Sequence, residues 1–191
     1  MARPHELKVI EPIFEETRTV GNVAKECVRA LLEGSGYGVY PFGYESYTTH
    51  IKDLIHQKRM GRTETTEQLA AMPDLLVVDD ANKAIELVEV KYRNRYPSNV
   101  NLNTRAIERL RKFWPNSIAV WVVPCEEVFY ACRLKDLKTT DQGLGITDID
   151  LTDQTIDKLF RKVTEQPEMV RRLKELAVKM LKSVDVGIRV E

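Results

Sequence analysis

Two acidic residues and a lysine stand at one end of a pair of apolar segments. Asp74 precedes the first segment, Leu75 to Val78, while Glu89 and Lys91 come near the end of the second. The polar stretch between the segments, Asp79 to Lys83, is typical of a hairpin turn. We therefore predict an antiparallel β-hairpin whose open end carries two carboxylates and an amine.

The expected register of this hairpin brings the two acids together. A turn centred on residues 81 and 82 pairs Leu76 with Leu87 and makes Asp74 the partner of Glu89. Directly opposed carboxylates repel each other and call for a compensating cation. Because the donors are hard oxygens, the cation predicted is Mg²⁺ or Mn²⁺, with Asp74 and Glu89 as its ligands.

Lys91 adds a third functional group to this end of the hairpin. Side chains alternate between the faces of a strand, so Lys91 shares a face with Glu89 and lies diagonal to Asp74. A metal at the acids would activate water and neutralise charge developing on a phosphodiester. An ammonium at Lys91 would orient that water or stabilise the transition state. The predicted chemistry is metal-dependent phosphodiester hydrolysis.

The spacing of these residues resembles a known nuclease motif. Pro73-Asp74, fourteen further residues and Glu89-Val90-Lys91 are similar to the PD-(D/E)xK motif, and the resemblance spans roughly residues 16 to 132. It implies an α/β, restriction-endonuclease-like fold with a mixed central sheet flanked by helices. It also implies a Mg²⁺-dependent endonuclease that acts on nucleic acid, with DNA as the expected substrate.

The resemblance further implies an acid on the helix before the hairpin. Glu26 is the first choice as a catalytic residue and third metal ligand, with Glu15 and Glu16 as alternatives. The pattern from Gly21 to Glu26 looks most similar to archaeal-type Holliday-junction resolvases. Dimers are common among related nucleases, so a homodimer is left open.

Hydrophobic periodicity supplies the elements that must hold the motif. It predicts a helix over Gly21 to Gly34, a helix from about Asn103 to Trp114, and an apolar strand at 117–123 covered on both faces. Further predictions are a weak edge strand at 38–42, a strand at 128–132, a helical insertion at 48–71 divided near Gly61, and a final helix that starts at Pro167. The predicted division is a nuclease-like core at 1–140 and a helical extension at 141–191.

Positive charge is local in this otherwise neutral chain. Lys+Arg and Asp+Glu both number 29, yet residues 91 to 112 contain seven basic residues and one acid. We predict that part of this segment contacts nucleic acid next to the acids. The residues predicted to do so are Arg93, Arg95, Arg105, Arg109 and Lys112.

Composition limits the setting of the protein. Three cysteines without CxxC spacing favour buried free thiols and a reduced, cytoplasmic location. No apolar run reaches the roughly 18 residues of a membrane span, and no secretory leader is evident, so no membrane partner is expected.

Two other classes of function fit the sequence. The same fold could hold nucleic acid through its basic segment without cutting it. Alternatively, the apolar stripes of the last 40 residues could serve assembly, with the hairpin acids merely solvated. Absence of metal binding would favour the first alternative, and absence of salt-dependent nucleic-acid binding the second.

Overall fold

The structure is a computed structural model that describes residues 12–43, 61, 63–92, 104–123, 128–137, 155–165 and 167–188. Within these ranges lie six α-helices, one short 3-10 helix (Leu134–Asp136) and five strands. The α-helices are α1 (Pro12–Gly34), α2 (Glu64–Leu69), α3 (Thr104–Phe113), α4 (Ile156–Leu159), α5 (Lys162–Glu165) and α6 (Pro167–Ile188). The strands are β1 (Gly38–Pro41), β2 (Leu75–Asp79), β3 (Ala84–Tyr92), β4 (Ile118–Val123) and β5 (Val128–Arg133).

The strands form one mixed sheet in chain order, β1-β2-β3-β4-β5. All neighbouring pairs are antiparallel except β3 and β4, which are parallel. Leu76 pairs with Leu87, so the register predicted for the hairpin is confirmed. The prediction of a mixed central sheet flanked by helices is also confirmed.

Helix α1 covers one face of the sheet. Its apolar residues Ala24, Val28 and Leu31 recur at steps of three and four, and each is at most 1% exposed. The helix ends where predicted, with Gly36 in the left-handed region at φ +87° and its N–H donating to Glu33 O. It starts earlier than predicted, at Pro12 instead of Gly21.

Helix α3 covers part of the opposite face. Ile107 and Leu110 pack with Ala119 and Trp121 in a second apolar cluster. Because β4 is enclosed by α1 on one side and α3 on the other, every residue from Ile118 to Val123 is buried. The predicted strand covered on both faces is confirmed.

The C-terminal helices share the core that α1 builds. Ile156, Phe160, Val163 and Val170 belong to the same buried cluster as the apolar side chains of α1, β2 and β3. Phe160 meets the ring of Tyr37 edge to face, with centroids 5.5 Å apart. The predicted proline start of the last helix is confirmed, because α6 begins at Pro167.

A charged contact ties this segment to the hairpin turn. The Nζ of Lys162 lies 2.8 Å from Asp79 Oδ1 and donates to Gly36 O at 3.1 Å. The hydrogen bond from Lys162, supported by one from Asn82, lowers the pKa of Asp79 to about 2. This ion pair therefore links the turn end of the hairpin to α5.

The insertion differs from its prediction in one respect. The stretch that follows Gly61, where a division of the insertion is predicted, is itself helical as α2, because Thr63 and Thr66 form a reciprocal cap at its start. The rest of the insertion, apart from Gly61 and residues 63–71, lies outside the described residues.

Cys27 and Cys132 are buried free thiols, as predicted, and burial raises their pKa values to about 11 and about 12. Cys125 lies outside the described residues. In the part of the chain that the structure describes, no helix combines the length and apolar character needed to cross a bilayer.

Removal of the Phe160 ring should show whether the C-terminal helices are part of the core. We expect Phe160→Ala to lower the free energy of unfolding by about 3 to 5 kcal/mol, as for a buried aromatic. Leu176→Ala is the control, because Leu176 on α6 is 54% exposed. Urea unfolding followed by circular dichroism measures both variants. A loss below about 1 kcal/mol for Phe160→Ala would contradict the shared core.

Candidate active site

The site begins where β2 and β3 separate. β2 starts at Leu75, so the partner strand no longer supplies a backbone acceptor for the N–H of Val90. The side chain of Asp74 takes over this role, and its Oδ2 accepts the Val90 N–H at 2.8 Å. Pairing of Leu75 with Val88 places Asp74 next to Glu89 in the extended register. The structure thus brings the two predicted acids together.

Glu89 and Lys91 occupy the same face of β3. They pair with Ala119 and Trp121 of β4, which belong to the cluster beneath α3, whereas Val88 and Val90 point to the α1 side. The Nζ of Lys91 forms a short ion pair with Oε1 of Glu89. The predicted set of Asp74, Glu89 and Lys91 is therefore a contiguous cluster at the open end of the hairpin.

Glu89 is an unusual carboxylate because it is only 7% exposed. Loss of water around the side chain and, to a smaller extent, the negative charge of Asp74 together raise its pKa to about 7. The positive charges of Lys91 and Lys25 act in the opposite direction. A buried carboxylate beside a second carboxylate is a group whose charged form needs a further cation.

Lys25 is a member of the site that the sequence did not indicate. Its Nζ lies 2.7 Å from Asp74 Oδ1, so α1 supplies a cation to the acids on the hairpin. A signal was present, because Lys25 lies three positions before Val28 and seven before Leu32. Both of these are fully buried, so Lys25 shares their face of the helix.

Glu26 is placed apart from this cluster. Its side chain is 71% exposed and lies 3.8 Å from Arg29 on the same helix. It lines an apolar cavity of about 430 Å³ between α1 and α6, together with Cys27 and Leu176. The structure thus joins Asp74, Glu89 and Lys91 with Lys25 and does not bring Glu26 to them. The side chains of Glu15 and Glu16 are outside the described part of α1.

The donor set suits a hard divalent cation. Asp74 and Glu89 offer carboxylate oxygens, and Mg²⁺ commonly uses one or two protein carboxylates with water and substrate oxygens completing its shell. Among the described residues there is no cluster of three or more His, Cys, Asp or Glu side chains that could hold a metal. The fit is therefore to a two-carboxylate site and not to the three-acid site predicted with Glu26.

Two of the predicted nucleic-acid contacts fall on the described side chains. Arg109 and Lys112 are exposed on α3. The Nζ of Lys112 is 4.6 Å from the ring centroid of Phe113 and 3.9 Å from carboxylate oxygens of both Glu64 and Glu67 on α2. The predicted contacts Arg93, Arg95 and the side chain of Arg105 lie outside the described residues.

No family model and no curated protein sequence matches this chain. Among solved structures it is similar to a bacterial homing endonuclease, I-Ssp6803I, with a TM-score of 0.40 and 16% sequence identity. The alignment covers 80% of this chain and 97% of that one.

The raised pKa of Glu89 predicts a pH dependence of stability in the metal-free protein. The fold favours the neutral form of Glu89. The stability that Glu89 contributes is therefore fully present below about pH 4.5 and is lost as pH rises through about 7. Glu89→Gln stays neutral at every pH. From about pH 5 to about pH 8, we expect wild type to lose stability relative to Glu89→Gln, on the order of 2 kcal/mol.

Urea unfolding in EDTA at several pH values measures this difference. Glu108→Gln is the matched control, because Glu108 is an exposed glutamate on α3. It should follow wild type at every pH. Parallel curves for wild type and Glu89→Gln would show that Glu89 ionises as an ordinary surface acid.

Proposed function

We propose that this protein is a metal-dependent nuclease that hydrolyses phosphodiester bonds, with Mg²⁺ or Mn²⁺ held by Asp74 and Glu89. The observation that carries the proposal is the convergence of Asp74, Glu89 and Lys91 where β2 and β3 separate. Bound there, the metal would act as a Lewis acid toward the phosphodiester. This is the reaction that the resemblance to PD-(D/E)xK nucleases implies.

The protein groups have separate tasks in this reaction. Asp74 keeps one oxygen on the Val90 N–H and thus holds its carboxylate in a fixed orientation. Glu89 is shielded from bulk water, which strengthens its attraction for a cation. Lys91, 28% exposed beside Glu89, would donate a hydrogen bond to the attacking water or to a phosphate oxygen. Water attacks phosphorus and gives up a proton to solvent, the P–O bond to the leaving sugar breaks, and the leaving oxygen takes up a proton from solvent.

The two lysines explain how such a site is stable before metal and substrate bind. Lys25 contacts Asp74 and Lys91 contacts Glu89, so each acid has one ammonium partner. The two ammonium groups lie beside the carboxylates, in the positions where a metal ion and a phosphate group would bind. Since Lys25 contacts Asp74 directly, we infer that it competes with the metal for that carboxylate.

The substrate proposed is nucleic acid, and DNA is the first choice. Exposed Arg109 and Lys112 lie on α3, the helix that flanks the sheet face of Glu89 and Lys91. Such cations position a phosphate backbone without reading its sequence.

Cleavage by an Asp74 variant tests the proposed reaction. We expect wild type to cut labelled linear, circular, single-stranded or four-way-junction DNA with Mg²⁺ or Mn²⁺ and not in EDTA. Asp74→Asn should lower the rate at least about a hundredfold, because a metal ligand loses its charge. Its amide oxygen can still accept the Val90 N–H, which preserves the fold.

Asp80→Ala is the control for this experiment, since Asp80 is an exposed acid in the hairpin turn. It should cut like wild type. Equal rates for wild type and Asp74→Asn, or no metal-dependent cutting of any substrate by wild type, would contradict the proposal.

Magnesium affinity tests which residue of α1 acts on the site. Removal of a positive charge beside a cation site strengthens cation binding, so we expect Lys25→Met to bind Mg²⁺ about tenfold more tightly than wild type. Glu26→Gln should stay within about twofold of wild type, because an exposed charge is screened by solvent. Isothermal titration calorimetry measures both. Weaker Mg²⁺ binding by Lys25→Met, or a large loss of Mg²⁺ affinity in Glu26→Gln, would show that Glu26 and not Lys25 is the residue of α1 that acts on the site.

A further inference from the structure

A second feature lies on the same face of the sheet as the proposed site. The hairpin side chains Leu76, Val78 and Leu87 on this face are half-buried, and Ile85 is 66% exposed. Helix α3 covers the neighbouring strands β4 and β5 and leaves this part of the face less enclosed. An apolar strip therefore leads along the hairpin to Asp74 and Glu89.

A cavity of about 260 Å³ lies beside this strip. Its wall on one side is the start of β3, with Ile85 and Leu87, and on the other the segment from Phe113 to Ser117 that links α3 to β4. Leu87 precedes Glu89 by two residues, which is roughly 7 Å along a strand. The cavity wall at Leu87 therefore lies about this distance from the proposed metal ligand along β3.

Two hydrogen-bonding groups of the cavity lining have no partner. The Nε1 of Trp114 and the Oγ of Ser117 are buried and make no hydrogen bond to any residue that the structure describes. Ser117 is only 3% exposed. Burial of an unpaired polar group is destabilising, so two such groups in the lining of one cavity indicate a missing acceptor.

The cavity has the properties of a site for one flat, partly polar group. Phe113 and Trp114 provide aromatic surface, and Ile85 and Leu87 provide an apolar wall. Unpaired nucleobases stack on aromatic side chains and present ring nitrogens and carbonyl oxygens as acceptors, whereas paired bases in a duplex are stacked on each other.

We propose that this cavity binds one unpaired nucleobase adjacent to the phosphate at the Asp74–Glu89 site, so that the substrate is a single-stranded or locally unpaired nucleic acid. This inference rests on the proposed nuclease function and specifies its substrate class. Ser117 and Trp114 donate to the acceptors of the base, and Ile85 packs against it. DNA and RNA share this base chemistry, so both are used as probes.

Equilibrium binding in EDTA tests the proposal without any cleavage. The probes are a short fluorescent DNA strand, the RNA strand of the same sequence, the DNA duplex, and the same DNA strand with abasic sites. Fluorescence anisotropy should show that wild type binds at least one intact strand about fivefold or more tightly than the abasic strand, which has the same backbone charge. The duplex should also bind more weakly than that strand.

Two variants test whether the base-dependent part of the binding arises in the cavity. Ser117→Ala should weaken binding of the intact strand by about 3- to 10-fold, the effect of one hydrogen bond, with abasic binding unchanged. Its thermal stability should not fall, because an unpartnered hydroxyl is removed. Ile85→Ala should weaken the same interaction by a similar factor of about 3 to 10. Leu176→Ala, which removes an exposed apolar side chain from α6, is the matched control and should bind like wild type.

Equal affinity of wild type for intact and abasic strands would overturn the inference. So would unchanged binding in both Ser117→Ala and Ile85→Ala. These outcomes are distinct from failure of the proposed function, which appears as absent metal-dependent cleavage even where base-dependent binding in EDTA persists.

Discussion

The antiparallel register of β2 and β3 is the constraint on which the rest of the site depends. It places Asp74 just beyond the last backbone pair and next to Glu89, where the two strands separate. The N–H of Val90 then needs a new acceptor, and the carboxylate of Asp74 supplies it. A shift of one residue would turn Glu89 and Lys91 toward α1 and put Val88 and Val90 on the other face.

The second determinant is the electrostatic balance among four side chains. Two neighbouring carboxylates, one of them almost fully buried, oppose each other, and the fold moderates this repulsion with Lys25 and Lys91. One lysine comes from the helix and the other from the strand. The helix that forms the apolar core therefore also sets the charge of the site, so packing and electrostatics are coupled there.

The two faces of the sheet are used differently. On the α1 side, the C-terminal helices complete the core through Ile156, Phe160 and Val163. On the other side, α3 encloses β4 and β5, whereas Ile85 of the hairpin stays largely exposed. One side of the sheet is therefore packed in the apolar core, and the other side has an accessible surface next to the acids. This arrangement suits a site built on rigid elements.

The sequence by itself determined the parts of this protein that follow from local periodicity. Alternation of apolar residues and the polar turn predicted the pairing of Leu76 with Leu87, and the unbroken apolar run predicted a strand buried on both faces. The site that these elements hold was predicted to the level of Asp74, Glu89 and Lys91, because all three lie on one hairpin. Their roles in catalysis stay predictions.

Tertiary structure decided what depends on the rotation and packing of separate elements. The phase of α1 against the sheet brought Lys25 to Asp74 and left Glu26 exposed, a difference of one residue that periodicity alone does not resolve. The position of α3 left the hydroxyl of Ser117 and the indole N–H of Trp114 beside the hairpin without hydrogen-bond partners among the described residues. Such contacts join residues distant in the chain, and their energies depend on the packed fold rather than on local sequence.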